Sequence, residues 1–411
     1  MKQIWGSPRL IAIAGALLLA VVSSSCSTLS RQGKPPAPDA SVHELQHTGG
    51  GTGSLSVPLP EESMQQAGPP APEPAVTLAA VGDVLLHRSV YEDARTGNSF
   101  DFRPMLAPVK SMLETADIAI ANQESVTGGA AIGLSDYPAF NSPFEVADAL
   151  RDAGLDLVTM ANNHALDRGE RALQRAIAHW RTLGVEYTGA STDEADRRRL
   201  RILEKHGLKL AFLAYTYGTN GILSPPGKEY LVHRLDKEAL KQEVSQARQS
   251  ADAVIVSLHF GNEYQRLPNA GQQELVRLAA SAGAVLILGH HPHVLQPAEW
   301  VDDGHGSRSL AVYSLGNFIA AQKQPGPYTR IGGILQAKLR KKAASGDSPG
   351  GVTVEHASIM PTYIRFSDWR GYRVVPLASV EEHELKGASS IRDELRQHMR
   401  RWMPELEILD R

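Results

Sequence analysis

Cysteine is nearly missing: Cys26 is the only one in 411 residues. A lone thiol excludes a disulfide framework, and it argues against the thiolate-rich sites of structural zinc. An excess of either charge is missing too. Lysine plus arginine number 42 and aspartate plus glutamate 45, a net charge of −3. No global field therefore gathers nucleic acid or an anionic membrane, and no nucleic-acid partner is expected. The basic clusters at 197–199 and 340–342 are short and isolated, and they read as solvated faces. No internal repeat is visible. Apolar content of 42% and charged content of 21% are ordinary globular values. The length suffices for a large core.

A comfortable membrane-spanning run is also missing at the N-terminus. Lys2 and Arg9 precede an apolar run over 10–22, shorter than the ~20 residues of a span. Ser23, Ser24 and Ser25 follow, which completes the layout of an export signal. Cys26 comes next, so the stretch resembles a bacterial lipobox, with Ser23 where leucine is usual. Residues 1–25 are expected to be a signal peptide and Cys26 to carry lipid. A plain secretory signal or an uncleaved anchor are the alternatives, and all three place the rest of the chain outside the cytoplasm. Residues 27–75 are rich in proline and glycine and predict a disordered tether. The main domain is expected over 76–380, with a helical tail over 381–411.

What is present from residue 76 onward is a regular alternation. Apolar runs bounded by glycine or proline predict strands near 76–81, 117–121, 155–160, 208–215, 253–258, 284–288 and 310–315. Helices are expected over 104–115, opening with Pro104, over 143–153 with Ser142 as cap, over 168–183, 236–249, 270–282 and 390–402. The segments 331–339, 351–359 and 372–376 predict strands without helices between them, a β-rich edge or second sheet. Strands alternating with helices indicate an α/β layered fold. The polar groups fall at one kind of place. Asp83, Glu124, Asn163, His164, His259, His291, His293 and Asn317 all stand at or just past the end of an apolar run. In such folds those ends can converge on one rim, where ligands bind. The loop 218–228, rich in glycine and proline, could lie over that rim.

Two carboxylates, an amide and several imidazoles are the donor set of a dinuclear metal site. Such donors suit zinc, iron and manganese. A carboxylate such as Glu124 can bridge two ions, and paired ions can activate a water and clamp a phosphoryl group. Pro292 stiffens the turn between His291 and His293. His164 could give a proton or hydrogen bond to a leaving oxygen, and Asp167 could orient it or cap the following helix. Glu263, four residues after His259, is a candidate partner for that imidazole.

The stretches Ala80-Val81-Gly82-Asp83, Asn122-Gln123-Glu124, Ala161-Asn162-Asn163-His164, His259-Phe260-Gly261-Asn262-Glu263, His291-Pro292-His293-Val294 and Ser314-Leu315-Gly316-Asn317-Phe318 occur in this order. With them the chain resembles the bacterial CapA/PgsA proteins of capsule or poly-gamma-glutamate biosynthesis, relatives of the calcineurin-like metallophosphatases. The resemblance spans about 76–320 and continues toward 378. It implies a four-layer α-β-β-α sandwich binding two divalent metal ions (manganese, iron or zinc) at the strand ends. It also implies that Asp83, Glu124, Asn163, His259, His291 and His293 are the metal ligands, with Glu124 in the bridging place and His164 near the leaving group. One departure stands out: Leu85 occupies the place of the first-motif histidine. His87 lies two residues further on, and His290 is an extra histidine with no place in the pattern. One metal position is thereby short of a ligand, which leaves room for a single ion. The biology implied is the making or export of an extracellular polymer. Partners would be the membrane, through lipid or an N-terminal anchor, subunits of a polymer synthase or exporter, and an anionic polymer. A non-catalytic accessory protein of that machinery, or a periplasmic nucleotidase or phosphodiesterase, are the alternatives. The sequence displays no aromatic clamp in favour of the last.

Overall fold

The computed structural model describes residues 73–322, 326–343 and 350–411. The export segment, Cys26 and the tether as far as residue 72 lie outside the described residues. Among the described residues no helix is long and apolar enough to cross a membrane.

The run after Pro74 forms β1 (Ala75–Leu85), followed by helix α1 (Arg88–Asp93) and a short hairpin of β2 (Arg95–Thr96) and β3 (Ser99–Phe100). The helix expected over 104–115 is two short pieces, α2 (Arg103–Leu106) and α3 (Lys110–Glu114). Pro108 between them explains the break, because its ring excludes a continuous helix and it has no N–H to give. Then come β4 (Ile118–Gln123), α4 (Glu145–Asp152), β5 (Leu157–Thr159), α5 (Gly169–Thr182), β6 (Glu186–Thr188) and α6 (Glu194–Arg198). Ser142 does not cap α4. Its hydroxyl donates instead to Ser125 Oγ at 2.8 Å. The next stretch supplies β7 (Arg201–Lys205), β8 (Leu208–Thr216), α7 (Lys237–Ala247), β9 (Ala253–His259), α8 (Ala270–Ala282) and β10 (Leu286–His290). The remainder is β11 (Leu295–Asp302), β12 (Arg308–Leu315), β13 (Asn317–Ala320), β14 (Ile331–Lys342), β15 (Gly351–Ser367), β16 (Arg370–Pro376), α9 (Ala388–Met399) and β17 (Glu407–Ile408).

These strands build two mixed sheets. The larger has the order β16-β15-β14-β1-β4-β5-β6, with β13 also beside β1 and β17 beside β15. The smaller has the order β11-β12-β10-β9-β8-β7. Strands β1, β4, β5 and β6 run parallel, as do β8, β9, β10 and β12. Parallel strands must be covered on both faces, which is why they read as continuous apolar runs. Along β1 the side chains alternate accordingly. Val76, Leu78 and Ala80 meet Leu210, Phe212, Ile255 and Leu288 of the other sheet. Ala79 and Val81 face outward to a layer holding Leu150, Leu173, Ile177 and Trp180 of α4 and α5. On the far side, Leu240, Val244 and Val276 of α7 and α8 cover Val254, Val256 and Ile287. The result is four layers, α-β-β-α. The segments after 320 extend the larger sheet. The tail joins the core as well: Leu395, Met399 and Leu406 are buried there, and β17 pairs with β15.

One crossing ties the sheets together. β12 belongs to the smaller sheet and β13 to the larger, and only Gly316 separates them. Its φ of +64° and the Ile331 carbonyl oxygen, 2.7 Å from where a Cβ would lie, leave the place to glycine.

Candidate metal centre

Strands of both sheets run out on the same edge. Near its end β1 passes Gly82, where a Cβ would lie 1.8 Å from the Gly316 carbonyl oxygen. That approach lets the Asp83 N–H donate to Gly316 O at 2.8 Å and sets Asp83 opposite Asn317. Glu124 follows β4, and Asn163 and His164 follow β5. His259 ends β9. His290 ends β10 directly opposite His259, with His291 and His293 in the turn beyond. The turn is forced: His291 has φ +95° and His293 φ +58°. Left-handed backbone at non-glycine residues costs of order 1–3 kcal/mol each and persists where the surroundings hold it. Here the Pro292 carbonyl accepts from Tyr264 N–H at 2.8 Å, and Asp83 Oδ2 from His291 N–H at 3.4 Å.

The expected residues Asp83, Glu124, Asn163, His164, His259, His291, His293 and Asn317 are all brought to this edge and are all buried. Asp83 Oδ1 accepts from Asn122 Nδ2 at 2.8 Å, and Oδ2 lies 3.1 Å from His293 Nδ1. His259 Nε2 is 2.9 Å from Asn163 Oδ1 and 3.5 Å from Glu124 Oε1. His293 Nε2 is 3.7 Å from that same oxygen, while its Nδ1 is 3.0 Å from Asn317 Oδ1. Donors bound to one ion by bonds of ~2.0–2.2 Å stand roughly 3–3.5 Å from one another. The cluster has that spacing. Two overlapping sets, Glu124 with His291 and His293, and Asp83 with Glu124 and His259, could each hold an ion, their ligand atoms lying within 4.8 Å. Glu124 belongs to both. Neither of its carboxylate oxygens has a hydrogen-bond partner. Buried polar atoms almost always have one, so the two orphaned oxygens leave a place that a cation could fill. The residues fit a metal.

The electrostatics agree. Burial, reinforced by Asp83, pushes the Glu124 carboxyl well above the usual range, against the pull of His293. Burial would raise Asp83 also, but the imidazoles of His290 and His293 hold it well below. Burial would lower His293, yet Glu124 and Asp83 outweigh it and push that imidazole up to about 9. In the metal-free chain the His293 imidazolium is thus the cation that offsets the carboxylates. Burial lowers His291 to about 3 and His259 well below its ordinary value. Both keep their lone pairs at neutral pH.

Beside the cluster, His164 Nδ1 meets Asp167 Oδ2 at 2.7 Å, and that oxygen also accepts from Phe140 N–H at 2.7 Å. Asp167 therefore orients His164, and the first turn of α5 has no side-chain cap. The loop 218–228 does lie over the edge. Asn220 Oδ1 accepts from Asn163 Nδ2 at 3.2 Å, and its own Nδ2 is 3.4 Å from His164 Nδ1. His87 stays away from the carboxylates; its Nδ1 is 3.1 Å from Leu85 O and accepts from Ala321 N–H at 3.2 Å. It lines a cavity of about 440 Å³ together with Leu85, His164 and His293. Tyr137, Phe140 and Tyr264 line it as well, an aromatic group the sequence did not display. Glu263 is another lining residue and does not bond His259; the Asn122 amide stands at His259 Nδ1, at 3.4 Å. The turn after β9, with Gly261 at φ +92° and Tyr264 at φ +65°, takes Glu263 elsewhere.

A buried histidine remote from Asp83 and Glu124 gives a separate pH effect. His233 donates to or accepts from Ser191 Oγ at 2.9 Å, and its Nδ1 has no partner. Burial, with Arg197 and Arg201, holds its pKa well below 6.5. The unfolded chain takes up a proton near 6.5 that the folded chain refuses. The stability this group contributes is therefore intact above that pH and falls below it, by about 1.4 kcal/mol per pH unit. Denaturant melts in chelator at pH 7 and pH 5 should show a smaller acid loss for His233→Gln than for the wild type, by about that amount per unit.

A family profile described as Bacterial capsule synthesis protein PGA_cap matches residues 77–322. The Bacillus anthracis capsule biosynthesis protein CapA is 26% identical over 316 residues, 72% of this chain and 72% of that one. The PGA biosynthesis protein CapA of Bacillus subtilis (strain 168) is 30% identical over 222 residues, 53% of this chain and 56% of that one. Among solved structures, the Haemophilus influenzae NAD nucleotidase NadN gives a TM-score of 0.42 at 11% identity, over 82% of this chain and 64% of that one. The 5'-nucleotidase precursor of Thermus thermophilus gives 0.41 at 13% identity, over 79% and 60%.

Proposed function

The chain belongs to the bacterial capsule synthesis protein family PGA_cap, and from that membership and the geometry we propose that it is a metal-dependent phosphoester hydrolase of the cell envelope, working in the making or export of a capsule or poly-gamma-glutamate polymer. The observation that carries the hydrolase is Glu124, shared by two sets of ligand atoms and without a hydrogen bond on either oxygen. Asp83, Glu124, Asn163, His259, His291 and His293 would hold two divalent ions. Bound there, the ions would supply charge stabilisation and an acidified water. The chain's own contribution lies around them. Asn220 fixes the Asn163 amide so that its oxygen faces His259. Asp167 holds His164 by Nδ1, which leaves Nε2 to give a proton to the departing oxygen. The cavity that His164 lines receives the substrate. Among the described residues its lining includes Asp136 and Glu263 and neither lysine nor arginine. The bound cations would attract an anionic polymer to it. Lipid on Cys26 tethers the protein to the membrane, and polymer synthase or export subunits are its partners.

The test is hydrolysis of bis-p-nitrophenyl phosphate with added manganese. The His164→Ala variant should keep its metal and lose roughly 10²–10⁴-fold in kcat, and Asn163→Ala should lose metal as well as rate. One observation favours a second reading, a non-catalytic accessory protein. Leu85, buried and apolar, faces the cavity where the first-motif histidine is expected. Metal-loaded wild type without hydrolysis would select that reading.

A further inference from the structure

We infer that His290 is a metal ligand and supplies, from β10, the imidazole that Leu85 does not supply from β1. This role rests on the metal centre proposed above and falls to a residue that the spacing of the motifs leaves out.

Four observations carry it. His290 is 2% exposed, and both of its ring nitrogens lack a hydrogen-bond partner. Its polar neighbour is the Asp83 carboxylate on the Nδ1 side, and Nε2 is stripped of water with nothing in return. Nδ1 stands 3.3 Å from Asp83 Oδ1, as an ion pair in the metal-free chain. That distance is the spacing of two donors on one ion, and it matches the 3.1 Å between Asp83 Oδ2 and His293 Nδ1. His290 is also the register partner of His259 in the parallel pair β9 and β10, and paired residues present their side chains to the same face. His259 faces Glu124 and Asn163, so His290 faces the same space. The chain fixes this placement firmly. At Gly289, one residue earlier, a Cβ would lie 1.9 Å from the Tyr313 carbonyl oxygen, so β10 and β12 are locked together just where His290 emerges.

Of the assigned imidazoles, His293 stands 3.1 Å from Asp83 and His259 belongs to the same set of ligand atoms. His290 adds a further imidazole nitrogen at 3.3 Å from Asp83. The first-motif histidine is then dispensable, and Leu85 is free to shape the wall of the cavity.

The experiment is metal titration of the full chain purified in detergent and stripped with chelator, with manganese and separately zinc as probes. Bound metal is counted by elemental mass spectrometry, and folding of each metal-free variant is checked by its melting curve. Wild type, His290→Ala and His290→Asn are compared. Asparagine keeps a hydrogen-bonding amide beside Asp83 but offers no imidazole nitrogen. Two ions in the wild type, with one lost or weakened in both variants by more than the roughly 10–100-fold of a lost supporting hydrogen bond, is the expected result. Two ions retained at unchanged affinity by either variant overturns the assignment; retention by the asparagine variant alone makes His290 a positioning residue for Asp83. A wild type that binds no metal at all refutes the centre itself, a different failure from that of His290.

Discussion

Replacing Glu124 by glutamine is expected to strip both ions from the chain and, at the same time, to make the metal-free protein more stable. The two signs have one cause. In the absence of a cation Glu124 is a fully buried carboxylate whose oxygens accept no hydrogen bond. Its carboxyl is pushed well above the usual range by burial and by Asp83. A carboxyl raised in the folded state contributes stability below its unfolded pKa, and that contribution is lost as pH rises through the folded pKa. At neutral and alkaline pH the metal-free wild type carries this penalty. Glutamine has the same shape and no charge to lose. In chelator, the variant should therefore melt above the wild type, with a margin that widens as pH rises. With manganese added, the order should reverse. Ions that bind only the folded chain stabilise it by about 3 kcal/mol at a free concentration of 100 Kd. The variant, deprived of the group common to both ligand sets, should gain nothing. Melting curves with and without metal read both arms. A Glu124→Gln chain that retains two ions would refute the shared role of Glu124.

The second large effect concerns the scaffold. Gly289→Ala adds a single methyl, yet its Cβ would stand 1.9 Å from the Tyr313 carbonyl oxygen, a backbone atom that no rotamer change can move. The two strands must separate, and β12 leads directly to Gly316 and Asn317. The loss should reach about 4 kcal/mol or more, the range reserved for core overpacking and backbone disruption. Gly304→Ala is the control. It lies in a turn at φ +75° with nothing within 4 Å of a Cβ, so its cost is only the ~1–2 kcal/mol of a left-handed alanine. Chemical denaturation of the two variants separates the steric cost from the conformational one. Equal losses would mean that the strands yield.

Much of this was legible in the sequence for physical reasons that can be named. The central strands were visible because both their faces are covered and their residues are apolar throughout. Helix α8, expected over 270–282, is found as Ala270–Ala282, between Asn269 as its cap and Gly283 at its end. The strand-end polar residues could be gathered in advance because parallel strands deliver their ends to one edge. Other features left weaker traces. β6 is three residues long, and β11 is an edge strand interrupted by Pro297, so neither has a periodic signature. Pro108 is the local mark of the break between α2 and α3. His290 looked superfluous because motif spacing says nothing of which strand lies alongside. Only the register with His259 turns it toward Asp83. The aromatic side chains of the cavity come from separate loops, at Tyr137 and Tyr264, and no local pattern joins them.

The passage of the chain through Gly316 bears on the order in which the molecule is assembled. Asp83 and His291, in contact at the site, are 208 residues apart, and the residue opposite Asp83 is delivered only after the second sheet has been completed. Contacts so distant in sequence are slow to form, because a long loop must close before they return anything. Each candidate set joins residues far apart in the chain, Glu124 with His291 and His293, or Asp83 and Glu124 with His259, so a metal bound there would be acquired late in folding. It would then act as a latch on the finished structure, lengthening the lifetime of the native state and leaving the rate of reaching it to the sheets alone.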